Sequence, residues 1–169
     1  MVALPTGTVT FFFTDIEGST RLWEGYPDAM RHALAVHDQI LREEVTHHGG
    51  HVFKTVGDAV YAVFAAARDA IAAARSAQQR LTGAAWEVPE GLRVRMAIHT
   101  GTAEQTNEDY LGPPLNRLTR LLSAAHGARS WSPSPRGHWW GTNCRRTPGC
   151  RTMGCIVSKT WPSPGTFIS

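Results

Sequence analysis

An acidic residue at the end of an apolar segment is the first place where this sequence could perform chemistry. Asp15 follows residues 9–13, which are all apolar or β-branched, and a Gly-Ser-Thr turn at residues 18–20 comes soon after it. Such a short apolar run predicts a buried strand, so Asp15 is expected where that strand leaves the sheet. Gly18, Ser19 and Thr20 could open and cap a helix, whose free N–H groups attract phosphate.

A second acid, Asp58, follows Gly57 in the turn of a hairpin that we predict over residues 51–64. Acids at the ends of neighbouring strands can meet at one edge of a sheet, where they repel each other unless cations lie between them. Two divalent cations held in this way suit phosphoryl chemistry. Taken singly, however, each acid has an ordinary alternative as a turn or capping residue.

Three further polar side chains could take part. Lys54 is four residues before Asp58, on the strand that leads into the turn. Asn116 and Arg120 are four residues apart on a predicted helix and therefore share one face, from which they could reach ribose and phosphate oxygens. The alternative interpretation of Lys54 is an ordinary solvated lysine on a strand, and that of Asn116 and Arg120 is a solvated helix face.

The elements that must position these residues follow from hydrophobic periodicity and turn signals. A strand, helices, a hairpin, a helix, a strand and a final helix succeed one another, which predicts an α+β fold with helices packed on a mainly antiparallel sheet. Arg93 and Arg95 alternate with apolar residues, which predicts a half-buried strand there. The predicted helices cover residues 27–47, 65–81 and 113–125, and the later strand covers residues 92–100.

The composition excludes some classes of protein. No apolar run approaches the roughly 20 residues of a membrane span, and the N-terminus lacks a secretory signal, so we expect a cytoplasmic protein. The net charge of +3 and pI near 9.0 would favour nucleic-acid binding. The excess of basic over acidic residues is confined to the end of the chain, however, since residues 127–169 contain six Lys or Arg and no acid.

Four motifs in this order and spacing resemble the class III nucleotidyl cyclases, the adenylate and guanylate cyclase catalytic domains. They are FTDIEGST, FKTVGDAV, RVRMAIHTG and DYLGPPLNRLTR. The resemblance implies the ferredoxin-like cyclase fold and a cyclase homology domain over residues 1–127. It implies the conversion of ATP to 3′,5′-cyclic AMP and pyrophosphate by a two-metal mechanism.

The same resemblance implies a role for each candidate residue. Asp15, Ile16 and Asp58 would bind two Mg²⁺ or Mn²⁺ ions, and the backbone at Gly18, Ser19 and Thr20 would hold the triphosphate. Lys54 and Asp109 occupy the base-selecting positions, and Lys with Asp is the adenine pattern. Asn116 and Arg120 match the residues that orient the ribose and stabilise the transition state.

Cyclases of this class form their sites between two subunits, so the resemblance implies a homodimer. Asp15 and Asp58 of one chain would meet Lys54, Asp109, Asn116 and Arg120 of the other. Lys54 and Asp58 would then serve opposite sites. The competing hypothesis is a non-catalytic cyclase-like module that dimerises or senses nucleotide for a partner.

The end of the chain departs from this family. Residues 128–169 show no usable period and contain all three cysteines and four of the six tryptophans. We interpret this segment as an aberrant, disordered tail produced by a frameshift near residues 127–129, so that the C-terminal strands of the fold are missing. Nucleic-acid binding through Arg and Trp, or zinc binding by Cys144, Cys150 and Cys155, are the alternatives, but the cysteines lack CxxC spacing.

Overall fold

The computed structural model describes residues 4–89, 91–106, 109–124 and 156–159. A five-stranded antiparallel sheet lies at its centre, with the strand order β2-β3-β1-β4-β7. Its strands are β1 Thr8–Ile16, β2 His51–Val56, β3 Ala59–Phe64, β4 Val94–Thr102 and β7 Ile156–Lys159. A separate two-stranded sheet consists of β5 Glu104–Thr106 and β6 Asp109–Leu111. The helices are α1 Ser19–Gly25, α2 Pro27–His47, α3 Ala67–Gly83 and α4 Pro113–Ala124.

The side chains of β1 divide between two cores because successive residues of a strand point to opposite faces of a sheet. Phe12 and Ile16 belong to a core that α2 and α3 cover. Phe11 and Phe13 belong to a second core, which α4 covers together with Tyr110 of β6. Both faces of the central strand are therefore buried, which explains why its sequence is apolar without alternation.

The helix α2 begins and ends where the sequence predicts, at Pro27 and His47. Pro27 suits the first turn because a proline lacks the N–H that would have no partner there. The helix α3 begins two residues later than predicted, at Ala67, and ends at Gly83. Within this helix Ala67 is exposed, whereas Ala70, Ala73 and Ala77 are buried.

The prediction of a half-buried strand over residues 92–100 is wrong for β4. All residues from Val94 to His99 are buried, including Arg95, which is 4% exposed. The reason is that β4 lies between β1 and β7 with helices on both faces, and that the charge of Arg95 is matched by Asp15.

Three strands lie where the sequence predicts none. The polar segment after β4 contains the short hairpin β5–β6. In the tail, β7 pairs with β4 from Ile98↔Ile156 to Arg95↔Lys159, although we expected no strand in that segment. Ile156 and Val157 are β-branched residues that favour strands, and β4 offers them an open edge. The predicted boundary at residues 127 and 128 and the rest of the tail lie outside the described residues.

The predicted α+β class with a mainly antiparallel sheet is confirmed. Among the described helices, none combines the length and the apolar character that crossing a bilayer requires.

Candidate active site

The two predicted metal-binding acids lie close together at one end of the sheet. Asp15 is next to last in β1, and Asp58 follows Gly57 in the two-residue turn between β2 and β3. Gly57 has φ +60°, a left-handed conformation that other residues rarely adopt, and it closes this tight turn. The backbone N–H of Ile16 donates a hydrogen bond to Asp58 Oδ2 at 3.1 Å, which holds the turn against the end of β1.

Asp15 forms an ion pair with Arg95, which lies directly opposite it on β4. The guanidinium group donates from Nη2 to Asp15 Oδ2. The Arg95 side chain is 5% exposed and that of Asp15 is 26% exposed, so the pair is largely shielded from water. A buried positive charge therefore compensates the carboxylate at this position.

Tyr61 lies among the charged residues of this region. Its ring stacks on Phe13 with the centroids 4.2 Å apart, and it lies opposite Lys54 in the pairing of β2 with β3. Burial raises the pKa of the Tyr61 phenol, and the negative charges of Asp15 and Asp58 raise it further, while Lys54 opposes them. Both acids and the lysine are therefore within electrostatic reach of one phenol group.

The predicted base-selecting residues contact each other within the chain. Lys54 Nζ donates to Asp109 Oδ2 at 2.5 Å. This hydrogen bond lowers the pKa of Asp109; burial opposes the shift, and the backbone N–H of Tyr110 supports it. Both side chains are partly exposed, at 45% and 38%. The pair therefore presents a cationic donor beside an anionic acceptor at the surface.

The segment after β1 begins α1 without a side-chain cap. Gly18 is the N-cap residue, and its carbonyl accepts a hydrogen bond from the N–H of Leu22 at 3.2 Å. Ser19 is half-buried and Thr20 is exposed. The prediction that residues 18–20 open and cap a helix is confirmed, since Gly18 is the N-cap residue and Ser19 is the first residue of α1, although no side chain caps the helix.

Asn116 and Arg120 are both exposed on α4, as their four-residue spacing predicts. The opposite side of the helix packs on the sheet through Leu118 and Leu122. A Cβ atom at Gly101 of β4 would lie 2.7 Å from Pro114 Cγ, so only glycine allows the first turn of α4 to approach β4 this closely.

The acids fit a hydrated divalent cation better than a closed metal cage. Within the part of the chain that the structure describes, no group of three or more His, Cys, Asp and Glu side chains could hold a metal ion. Mg²⁺ keeps several waters and is usually bound by one or two carboxylates together with substrate phosphates. Asp15 and Asp58, held together through Ile16, provide such a pair of carboxylates.

Sequence reasoning missed Arg95, Tyr61 and Phe53. Arg95 faces Asp15 only in the observed register of β1 with β4, and a sequence does not reveal the register. Phe53 is an extra residue in β2, where the pairing passes from Val52↔Ala62 to Lys54↔Tyr61. A bulge is defined by the pairing with the partner strand, so the sequence of β2 alone does not reveal it.

Comparison with known proteins identifies the family. The profile of the adenylate and guanylate cyclase catalytic domain matches residues 1–106. The chain belongs to this family. The adenylate cyclase of Lachancea kluyveri is 35% identical over 153 residues, which cover 76% of this chain and 8% of that enzyme.

Two further proteins are similar to this chain. An uncharacterised protein of Mycobacterium tuberculosis is 39% identical over 127 residues, which cover 74% of this chain and 42% of the relative. A solved adenylate cyclase structure from Trypanosoma brucei, in its monomeric state, matches with a TM-score of 0.65 and 29% identity. The match covers 73% of this chain and 71% of that one. The chain spans less than half the length of either curated relative.

Proposed function

We propose that this cyclase domain converts ATP to 3′,5′-cyclic AMP and pyrophosphate. The observation that carries the proposal is the meeting of Asp15 and Asp58 around Ile16 at the end of β1. Two carboxylates at the same end of the sheet suit two-metal phosphoryl transfer. The matched family supports the reaction class, and the specificity for ATP rests on Lys54 and Asp109.

Asp15, Asp58 and the backbone of Ile16 would hold Mg²⁺ or Mn²⁺. Such ions, when bound, lower the pKa of the ribose 3′-hydroxyl and neutralise charge on the α-phosphate. In the reaction, the 3′-oxygen loses its proton and forms a bond to the α-phosphorus. The bond between the α-phosphorus and the bridging oxygen breaks, and pyrophosphate leaves with the electron pair.

Lys54 and Asp109 would select adenine. The lysine can donate to N1 of adenine, and the carboxylate can accept from the exocyclic amine at position 6. Guanine presents the reverse pattern, so it would leave both groups badly paired. The carboxylate of Asp109 already acts as an acceptor in this structure, since it accepts hydrogen bonds from Lys54 Nζ and from the backbone N–H of Tyr110.

The remaining residues would act on the ribose and the phosphates. Asn116 would orient the ribose, and Arg120 would stabilise the negative charge that develops in the transition state. The backbone N–H groups at Gly18, Ser19 and Thr20 would hold the triphosphate. Asn116 and Arg120 are exposed on α4, which suits residues that serve a site completed by a second copy of the chain.

The proposal is tested by incubating the purified protein with Mn²⁺ and either ATP or GTP and measuring both cyclic products. We expect cyclic AMP in excess over cyclic GMP, with a specific activity that rises with protein concentration because a dimer completes the site. Lys54→Glu should reduce the preference for ATP, by about tenfold or more. An unchanged preference in this variant would refute the assignment of Lys54.

A chain that binds nucleotide but forms no cyclic product would favour the second hypothesis, a non-catalytic module that senses nucleotide. Adding an ending taken from an active family member would then separate two causes of inactivity. Recovery of activity would attribute the loss to residues 128–169, and continued inactivity would attribute it to the domain itself.

A further inference from the structure

Two dipeptides, Phe53-Lys54 and Asp109-Tyr110, are joined both by charge and by their rings. Lys54 Nζ lies 2.5 Å from Asp109 Oδ2, and the adjacent rings of Phe53 and Tyr110 meet edge to face with centroids 5.1 Å apart. Lys54 belongs to the five-stranded sheet and Asp109 to the separate β5–β6 sheet. Among the described residues no strand pairing links Asp109 to Lys54, so side-chain contacts contribute to their relative position.

A bulge in β2 makes this arrangement possible. The neighbouring Val52 packs in the core under α2 and α3, so regular alternation would place Lys54 on that same helical side. The extra residue Phe53 instead shares a face with Lys54. On this other face of the sheet, the centroid of its ring lies 6.4 Å from the ring centroids of Phe13 and Tyr61. Bulges commonly redirect side chains beside functional sites.

Tyr110 is fixed more firmly than the charged residues beside it. It is 1% exposed, and its hydroxyl donates to the Pro5 carbonyl at 2.6 Å. Its ring also lies edge to face against Phe11, with the centroids 5.2 Å apart. Its backbone N–H donates to Asp109 Oδ1 at 2.8 Å, which restricts the orientation of the carboxylate.

We propose that Phe53 and Tyr110 are positioning residues for nucleotide selection. Their edge-to-face contact fixes the separation of the Lys54 ammonium and the Asp109 carboxylate, and this separation determines which base pairs well with both. An exposed ion pair between flexible side chains is weak by itself, so the rings beneath it supply the rigidity. This inference rests on the proposed function of the Lys54–Asp109 pair.

The test compares Phe53→Leu with Phe12→Leu, the same substitution on the opposite face of the sheet. For each protein, the ratio of kcat/KM for ATP to that for GTP is measured with Mn²⁺. Binding of fluorescent ATP and GTP analogues gives a second measure of selectivity that needs no turnover. We expect Phe53→Leu to lower the ATP preference by about tenfold, through a higher KM for ATP and a nearly unchanged kcat, because a small displacement of positioning groups is costly. Phe12→Leu should keep the wild-type ratio even where it lowers the melting temperature.

Two further variants isolate the ring contact. Tyr110→Phe keeps the ring and loses only the hydrogen bond to Pro5, so it should keep most of the preference. Phe53→Met removes the ring but offers a flexible side chain that can refill the space, so it serves where Phe53→Leu does not fold; it should lower the preference as well. A wild-type preference in the variants of Phe53 would overturn this inference alone. A wild-type chain that binds neither nucleotide would overturn the proposed function and this inference with it.

Discussion

The two faces of the central sheet are built differently. On one face, Phe12 and its neighbours pack under two long helices, α2 and α3, of 21 and 17 residues. On the other face, a helix of 12 residues and a short hairpin cover an aromatic core. The charged pairs Asp15–Arg95 and Lys54–Asp109 border this second core. We therefore expect the face under α2 and α3, called the helical face, to contribute mainly to stability. The opposite face, called the aromatic face, borders Asp15, Lys54 and Asp109 of the candidate site.

The largest effect on stability is expected on the helical face. Phe12 is fully buried, so Phe12→Ala should lower the free energy of unfolding by about 3–5 kcal/mol. Phe53 on the aromatic face is only half-buried, and Phe53→Ala should cost about 1–2 kcal/mol. Urea denaturation of both variants measures the difference. Equal losses would show that the two faces do not divide their roles in this way.

The ion pair of Arg95 with Asp15 is expected to stabilise the aromatic face through charge. Arg95→Met should lower the free energy of unfolding by about 1–3 kcal/mol, because it leaves the partly shielded carboxylate of Asp15 without this cation. Mn²⁺ should raise the melting temperature of this variant more than that of the wild type, since the metal can compensate the same carboxylate.

A double variant checks the Arg95 prediction. Asp15→Asn in the Arg95→Met background removes the carboxylate that the first substitution exposes, so it should recover part of the lost stability. A double variant less stable than Arg95→Met alone would mean that the ion pair is not the cause of the loss.

The smallest effect concerns pH and His99, which is buried in β4 on the aromatic face. Burial lowers the pKa of His99, and the positive charge of Arg117 lowers it further. Below the ordinary histidine pKa of about 6.5, the unfolded chain therefore gains a proton that the folded chain resists, and stability falls as the pH falls.

The variant His99→Gln should consequently lose less stability than the wild type between about pH 7 and pH 5. Chemical denaturation at several pH values provides the comparison, and the difference between the two proteins removes the contribution of the other histidines. Parallel curves for the two proteins would contradict the role assigned to His99.

Local signals in the sequence predicted much of the fold. Pro27 and the glycine pair after His48 bound α2 correctly because caps and turns depend on neighbouring residues. The buried state of Arg95 could not be predicted, since it depends on the register of β1 with β4 and on the covering of both faces. The hairpin β5–β6 was missed because its strands have only three residues each.

The sequence predicted the individual residues of the candidate site, but only some of the contacts between them. The spacing of Asp15 and Asp58 around a strand end and a hairpin turn indicated that they would meet. The contact of Lys54 with Asp109 joins two separate sheets, which no local pattern reveals. The bulge at Phe53 could not be predicted either, because a bulge is defined by the pairing of β2 with β3.

The formation of cyclic AMP from ATP and Mn²⁺ by the Asp58→Asn variant tests the central claim most directly. Asn conserves the shape of the side chain and removes its charge, so we expect the rate to fall roughly 100- to 1,000-fold with little change in melting temperature. Asp28→Asn, an exposed carboxylate in the first turn of α2, provides the matched control and should keep the wild-type rate. Equal rates of cyclic AMP formation in Asp58→Asn and the wild type would contradict the assignment of the active site to this end of the sheet.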